Sequence, residues 1–343
     1  MGLMAHWLMQ GFDGTDRPPL PELAAVIRGG FAEFVAMTLF VFFGCGAASS
    51  ELTQIGGEWD PAATLMVAMQ FGLAITVLAY ATAHSSGGHI NCAVTWCLML
   101  VGKCHPFTAI VYLICQIIGS ITGALFLSLI EEASHPDYII GAPPRVGANS
   151  FQHETVMAHH ALLGEFMGTF LLCLVVLETA VNPQAVTQEG GKTVKGNKMN
   201  LAPIPIGFAV FIAHVVLIPL DGCSINPTRS FGPSYVGKSW DNHWIFWIGP
   251  LLGATGAALC WGLMARLQVW QDATELEAAR AAADGQGEHA RAHKKGEDAS
   301  GREGVGLLDH KERVSLTKER DVKAPEEGPK EAHPDGEMSE VPL

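Results

Sequence analysis

Two seven-residue stretches put an Asn at the point where a helix would begin within an apolar run. They are His89-Ile90-Asn91-Cys92-Ala93-Val94-Thr95 and Ser224-Ile225-Asn226-Pro227-Thr228-Arg229-Ser230. In a soluble protein such an Asn is a cap, its side-chain oxygen accepting a free backbone N–H. Inside a membrane, and twice, the same feature can do more. Two helix N-termini meeting at one depth focus positive dipole potential there. Each carboxamide can also offer N–H donors to a small neutral molecule, while the dipoles oppose cations and protons. The two Asn residues are 135 positions apart. A repeat of that period, carried by hydrophobic segments, points to a channel or transporter built from two related halves.

The elements that must hold these residues are membrane spans. Runs approaching the roughly 20 residues needed to cross a bilayer lie near Phe31–Ser50, Ala63–Ala83, Pro106–Ile130, His160–Val181, Ala202–Pro219 and Trp244–Leu267. Six spans imply an integral membrane protein, so the net charge of −13 says little about substrates. Most of the acidic excess falls in the polar tail. No cleavable signal peptide is read in the first thirty residues, and the first span is expected to act as its own insertion signal. Five of the eight cysteines, Cys45, Cys97, Cys115, Cys173 and Cys260, lie in apolar segments and read as small buried hydrophobes. No Cys-x-x-Cys pair or Cys/His metal spacing occurs. Nothing reads as a catalytic, cofactor or nucleotide motif, and no nucleic-acid partner is expected.

Basic residues set the expected topology. Arg17, Arg28, Lys103, His105, Lys192, Lys195, Lys198 and Arg266 fall on one side of the spans. Glu51, Glu58, Asp60, Glu131 and Glu132 fall on the other, with Arg145 and Lys238 as exceptions. Both termini are thereby expected in the cytoplasm.

The halves align by eye: Ala32-Glu33-Phe34 matches Gly164-Glu165-Phe166, and Gly72 and Gly207 share the offset of the two Asn residues. Three spans per half is an odd number, so the second half must insert upside down. The segments after Asn91 and Asn226 are apolar but short. About ten residues rise about 15 Å, half of a ~30 Å core. Two such half-helices from opposite faces would make a seventh span, tolerated only where the broken ends line a cavity or are buried in protein. The predicted fold is an all-α membrane protein with six transmembrane helices plus two re-entrant half-helices in an inverted repeat. Gly119/Gly123, Gly164/Gly168 and Gly249/Gly253 read as close-packing positions between helices. The expected domains are an N-terminal segment 1–29, a channel domain 30–267 (repeats 30–130 and 158–267) and a disordered tail 268–343. That tail carries at most a short helix near Thr274–Ala283 and kinase-type sites at Ser315 and Thr317.

The doubled motif resembles the paired Asn-Pro-Ala signature of the aquaporins, the major intrinsic protein family, over about residues 30–267. The copies here read Asn91-Cys92-Ala93 and Asn226-Pro227-Thr228. By that resemblance the filter positions are Phe71, His214, Cys223 and Arg229, which look like a water-selective set. Phe71 and His214 would narrow the pore, His214 and Arg229 would supply donors, and Arg229 would add a fixed charge, the account given for pores of this type. Glu33 and Glu165 match glutamates that tie the re-entrant backbones, and Gln116 and His89 look like loop-supporting groups. Ser230, Ser234 and Phe246-Trp247 match water channels rather than glycerol facilitators. Leu201–Val210 and Gly87–Asn91 are especially similar to plant plasma-membrane intrinsic proteins, in which the loop corresponding to Asn182–Asn200 can cap the cytoplasmic mouth.

The resemblance implies a passive water channel in the plasma membrane, surrounded by lipid and assembled as a homotetramer with a pore per subunit. A channel for hydrogen peroxide, ammonia or glycerol, and a junctional scaffold of little conductance, are the alternatives. Two departures stand out. Cys92 replaces a Pro suited to the first helical position, restoring an N–H and losing rigidity. Thr228 replaces Ala and adds a hydroxyl expected to bond to its own preceding turn. Water permeation is expected to survive, with proton exclusion the more affected.

Overall fold

The computed structural model describes residues 21–49, 54–55, 58–134, 143–151, 154–182, 187–189, 192–194 and 201–303. Six of its helices carry the spans: α1 Leu23–Ser49, α2 Pro61–Ser86, α4 Pro106–Ser134, α5 Ala158–Val176, α6 Pro203–Asp221 and α8 Ile245–Glu303. A π turn, Leu177–Val181, extends α5. Two short helices, α3 Cys92–Leu100 and α7 Pro227–Val236, are the half-helices. The only strands among the described residues are two short hairpin pairings, Gln54–Ile55 with Glu58–Trp59 and Thr187–Glu189 with Lys192–Val194. The second lies in the loop read as a possible cap, most of which is outside the described residues, as are Ser315 and Thr317.

Local signals account for the ends. Asp60 caps α2, accepting from the N–H groups of Ala62 and Ala63 at 3.0 and 3.1 Å, with Pro61 at the first helical position. Gly87, at φ 90°, closes that helix in the left-handed region, its N–H reaching the Ala83 carbonyl at 3.0 Å. The first span begins at Leu23, about two turns before the expected Phe31, because the helix runs through exposed Arg28. A long basic side chain at a helix end can reach water from there.

The outward faces are apolar. Phe43, Leu73, Val216 and Leu263 are each more than half exposed, the reverse of a soluble protein and what lipid contact requires. Inward, helices approach closely at glycine. α4 lies on α1, where a Cβ at Gly119 or Gly123 would stand 3.1 Å from the Cβ of Met37 or Val41. Its counterpart is α8 on α5, where a Cβ at Gly249 would stand 2.6 Å from that of Glu165. α2 and α6 cross at Gly72 and Gly207.

By internal contacts the chain divides into two units, 1–273 and 274–343, and both half-helices lie in the first. Among the described residues the second is helical through Glu303. Residues 268–303 were expected to be largely disordered. Their Ala, Glu, Gln, Arg and Lys content favours helix by local propensity, a property that apolar periodicity does not encode.

Candidate functional site

Asn91 and Asn226 each precede a half-helix in extended backbone, with φ of −163° and −154°. Asn91 Oδ1 accepts from the Ala93 N–H at 2.8 Å, and Asn226 Oδ1 from the Arg229 N–H at 3.1 Å. Their amide nitrogens cross between the repeats. Asn91 Nδ2 donates to the Ile225 carbonyl at 2.8 Å, and Asn226 Nδ2 to the Ile90 carbonyl at 2.7 Å. A carboxamide carries two N–H donors, so this exchange fixes each amide while leaving one hydrogen uncommitted.

The residue before each Asn is an isoleucine in left-handed backbone: Ile90 at φ 50° and Ile225 at φ 44°. A β-branched residue there is strained by about 1–3 kcal/mol. Two carboxylates oppose that strain. Glu33 Oε1 accepts from the His89 N–H at 2.9 Å and Oε2 from the Ile90 N–H at 2.7 Å. Glu165 accepts from the N–H groups of Ser224 and Ile225, both at 2.6 Å. Charge-assisted bonds of this length are the strong kind, and both side chains are fully buried.

Glu33 also accepts from Ser86 Oγ at 2.6 Å and Gln116 Nε2 at 2.7 Å. The other end of Gln116 faces the second repeat, where its Oε1 is 3.2 Å from Thr228 Oγ1. The Thr228 hydroxyl turns back locally, onto the side chain that caps its own helix, and also takes a bond from the opposite repeat. It lies 2.8 Å from Asn226 Oδ1 and accepts from the Cys92 N–H at 3.3 Å. His89 Nδ1 pairs with Thr95 Oγ1 at 3.0 Å, and its ring meets Tyr112 edge-on at 5.2 Å.

Phe71, His214 and Arg229 meet directly. The Phe71 and His214 rings stack at 4.4 Å, and Arg229 Cζ is 4.8 Å from the Phe71 centroid. Cys223 is equally buried on the loop before Asn226, at φ 52°, with its N–H held by Asp221 Oδ1 at 3.0 Å. His214 Nδ1 is 2.8 Å from the Val210 carbonyl, so that nitrogen carries the hydrogen. In a neutral ring Nε2 then accepts, and in a protonated ring it donates; Arg229 donates in either case. Its Nε, like His214 Nε2, is buried without a protein partner.

A segment that sequence reasoning missed secures the guanidinium. Arg229 Nη1 donates to the Gly147 carbonyl at 3.2 Å and to Asn149 Oδ1. Asn149 Oδ1 also accepts from Ser230 Oγ at 2.7 Å. Gly147, at φ 65°, lets this loop pass close to Cys45. A Gly and an Asn in a polar loop are common turn residues, so the available signal was weak.

A cavity of about 250 Å³ leads to this cluster. It runs past Gly87, Gly88, His89 and Asn91, and reaches Asn226 and His214. The cavity thus touches both capping asparagines and His214, whose ring stacks on Phe71.

The sequence pattern of the major intrinsic protein family matches residues 22–261. The chain is 38% identical over 258 residues to the aquaporin PIP2-7 of Arabidopsis thaliana, covering 72% of this chain and 87% of that one. This chain belongs to the major intrinsic protein family. Within it, the probable aquaporin PIP2-6 of Oryza sativa subsp. japonica is 37% identical over 261 residues, with 72% and 86% covered. Among solved structures, the aquaglyceroporin from Plasmodium falciparum aligns with a TM-score of 0.55 at 20% identity, over 69% of this chain and 96% of that one. That likeness concerns the fold: six spans and two half-helices. Like other members of the family, the chain is a membrane transporter type and not an enzyme.

Proposed function

We propose that this chain is a passive, water-selective channel driven by osmotic gradients, and that it excludes ions and protons. The observation that carries the reading is the crossed pair of asparagines. Each gives one N–H to the opposite repeat, at 2.8 and 2.7 Å, and keeps one for a passing molecule. Two fixed donors at facing helix N-termini orient a water oxygen toward themselves and oppose an arriving cation. The Phe71–His214 stack and the Arg229 guanidinium supply a second test of size and charge. On this reading Asn91, Cys92, Ala93, Asn226, Pro227 and Thr228 form the pore midplane. Phe71, His214, Cys223 and Arg229 form the filter, and Glu33, Glu165, His89 and Gln116 support the loops.

The same proposal sets the channel domain at 30–267 in the plasma membrane, with both termini cytoplasmic, as the Lys and Arg distribution favours. It takes four copies to form the assembly, each with its own pore and each contacting lipid through its exposed apolar faces.

Stopped-flow light scattering on proteoliposomes tests it, with water, glycerol and hydrogen peroxide run in parallel. The expected result is rapid osmotic shrinkage with glycerol uptake at the level of empty vesicles. Shrinkage no faster than in empty vesicles would refute the reading.

A further inference from the structure

We propose that Cys92 and Thr228 act as one paired device. The Thr228 hydroxyl takes up the backbone N–H that Cys92 introduces, and so bonds the two half-helix N-termini together across the repeat axis. The part of this inference that concerns permeation rests on the water-channel reading above.

The first N–H groups of a helix have no partner within it. At the start of α3 that donor belongs to Cys92, which is 7% exposed. A buried donor left alone pays its full desolvation cost. A proline would avoid the problem by having no N–H. Here the donor is present, and an acceptor 136 residues away answers it: Thr228 Oγ1 at 3.3 Å. An alanine at 228 would offer nothing. The two departures from the doubled Asn-Pro-Ala pattern are therefore complementary rather than independent.

The same hydroxyl orients a pore donor. Its hydrogen faces Asn226 Oδ1 at 2.8 Å and Gln116 Oε1 at 3.2 Å. Holding Oδ1 fixes the rotation of the Asn226 carboxamide, whose Nδ2 is anchored to the Ile90 carbonyl at 2.7 Å. Gln116 continues the chain to Glu33, which holds the first re-entrant loop. Thr228 is thus a positioning residue. It connects the backbone of one half-helix to the amide that caps the other.

The test is a double-mutant cycle on the full chain. Thr228→Val removes the hydroxyl at nearly constant volume, and Thr228→Ser restores it. Each is made with Cys92, Cys92→Pro and Cys92→Ala. The midpoint of thermal unfolding is measured in detergent, and proton flux relative to water flux in proteoliposomes. Thr228→Val is expected to lower the midpoint by several degrees and raise the proton-to-water flux ratio, with Thr228→Ser returning both toward the parent. The midpoint loss should persist in full beside Cys92→Ala, which keeps the N–H, and shrink beside Cys92→Pro, which lacks it. Equal losses in the Cys92 and Cys92→Pro chains overturn the pairing. Should Cys92→Pro not fold, a loss that vanishes beside Cys92→Ala overturns it as well. Parent vesicles without water flux would sink the channel reading, while the unfolding midpoints would still decide the pairing.

Discussion

Asn149 binds Arg229 through its side-chain oxygen while its amide nitrogen donates to the Asp221 carbonyl at 3.3 Å. One carboxamide thereby ties a loop between two spans, the backbone at the end of α6 and the only cation of the constriction. The Gly147 carbonyl shares the load. A guanidinium held from one side has a fixed position over the Phe71 ring, and its unpartnered Nε is left free to donate. Asn149→Ala should cost about 1–3 kcal/mol of stability and let the guanidinium swing. Proton flux in proteoliposomes and thermal unfolding in detergent would be measured together. If neither moves, Asn149 does not set the position of Arg229.

Truncating both walls of the Phe71–His214 stack should convert selectivity by size. The rings are 4.4 Å apart and fully buried, so the double change Phe71→Ala with His214→Gly opens the constriction on two sides. Glycerol uptake should become measurable while water flux persists. A double variant that conducts water and still rejects glycerol would show that the limiting constriction lies elsewhere.

The two buried glutamates should respond unequally to conversion to Gln. Glu33 receives four donors, from Ser86, His89, Ile90 and Gln116, whereas Glu165 receives two, from Ser224 and Ile225. A carboxamide has one acceptor oxygen and turns an NH₂ group toward donors on the other side. Both changes should destabilise by at least about 1–3 kcal/mol, and Glu33→Gln by the larger amount. Thermal unfolding of the purified proteins ranks them, and the reverse order would contradict this account.

Glycine substitutions separate close approach from helix propensity. A Cβ at Gly72 would stand 2.8 Å from the Gly207 carbonyl oxygen and 2.9 Å from Phe211 Cβ. Gly72→Ala must therefore push α2 from α6 and lower the unfolding midpoint. At Gly46 the nearest atom is Leu127 Cδ1 at 3.5 Å, an ordinary contact. There Ala should be neutral or stabilising by up to about 1 kcal/mol, the difference in helix propensity. Equal effects at both positions would mean that the α2–α6 crossing yields freely.

Acid should weaken the fold in part through His243. It lies among Phe231, Trp240 and Phe246, its Nε2 accepts from Trp247 Nε1 at 3.1 Å, and its Nδ1 has no partner. Burial holds this imidazole below the ordinary value of about 6.5. The unfolded chain then takes up the proton first, so the contribution to stability is intact above about pH 6.5 and is lost as pH falls toward the lowered native value. His243→Gln keeps an acceptor for Trp247 and cannot titrate. Its unfolding midpoint should fall less than the parent's between neutral and mildly acidic pH, and parallel losses would exclude His243 as a source.

What the sequence revealed followed what each feature depends on. Span positions rest on apolar length, a bulk property, and emerged to within about two turns, except at the end of the sixth, whose helix continues well past Leu267. The half-helices were legible because Asn91 and Asn226 interrupt that length at one period. The Asn149–Arg229 contact was not. It joins a loop residue of ordinary turn type to a position 80 residues later, and no periodicity encodes such a meeting. The second partner of the Thr228 hydroxyl was hidden for a related reason. Local bonding is the default for Thr in a helix and is present here on Asn226, but only the closeness of the opposite half-helix adds the Cys92 N–H. The His214 tautomer likewise turns on one carbonyl, that of Val210.

The crossed asparagine bonds have a consequence for how the chain is made. During synthesis the Ile90 carbonyl emerges 136 residues before the Asn226 amide that will satisfy it. The Asn91 amide waits in the same way for the carbonyl of Ile225. Until the last third of the channel has been inserted, neither crossed bond can form, and the groups that make them lack their partners in the opposite repeat. The first repeat is therefore no free-standing module that the second merely copies. Its final geometry is set late, when its inverted counterpart arrives to complete it.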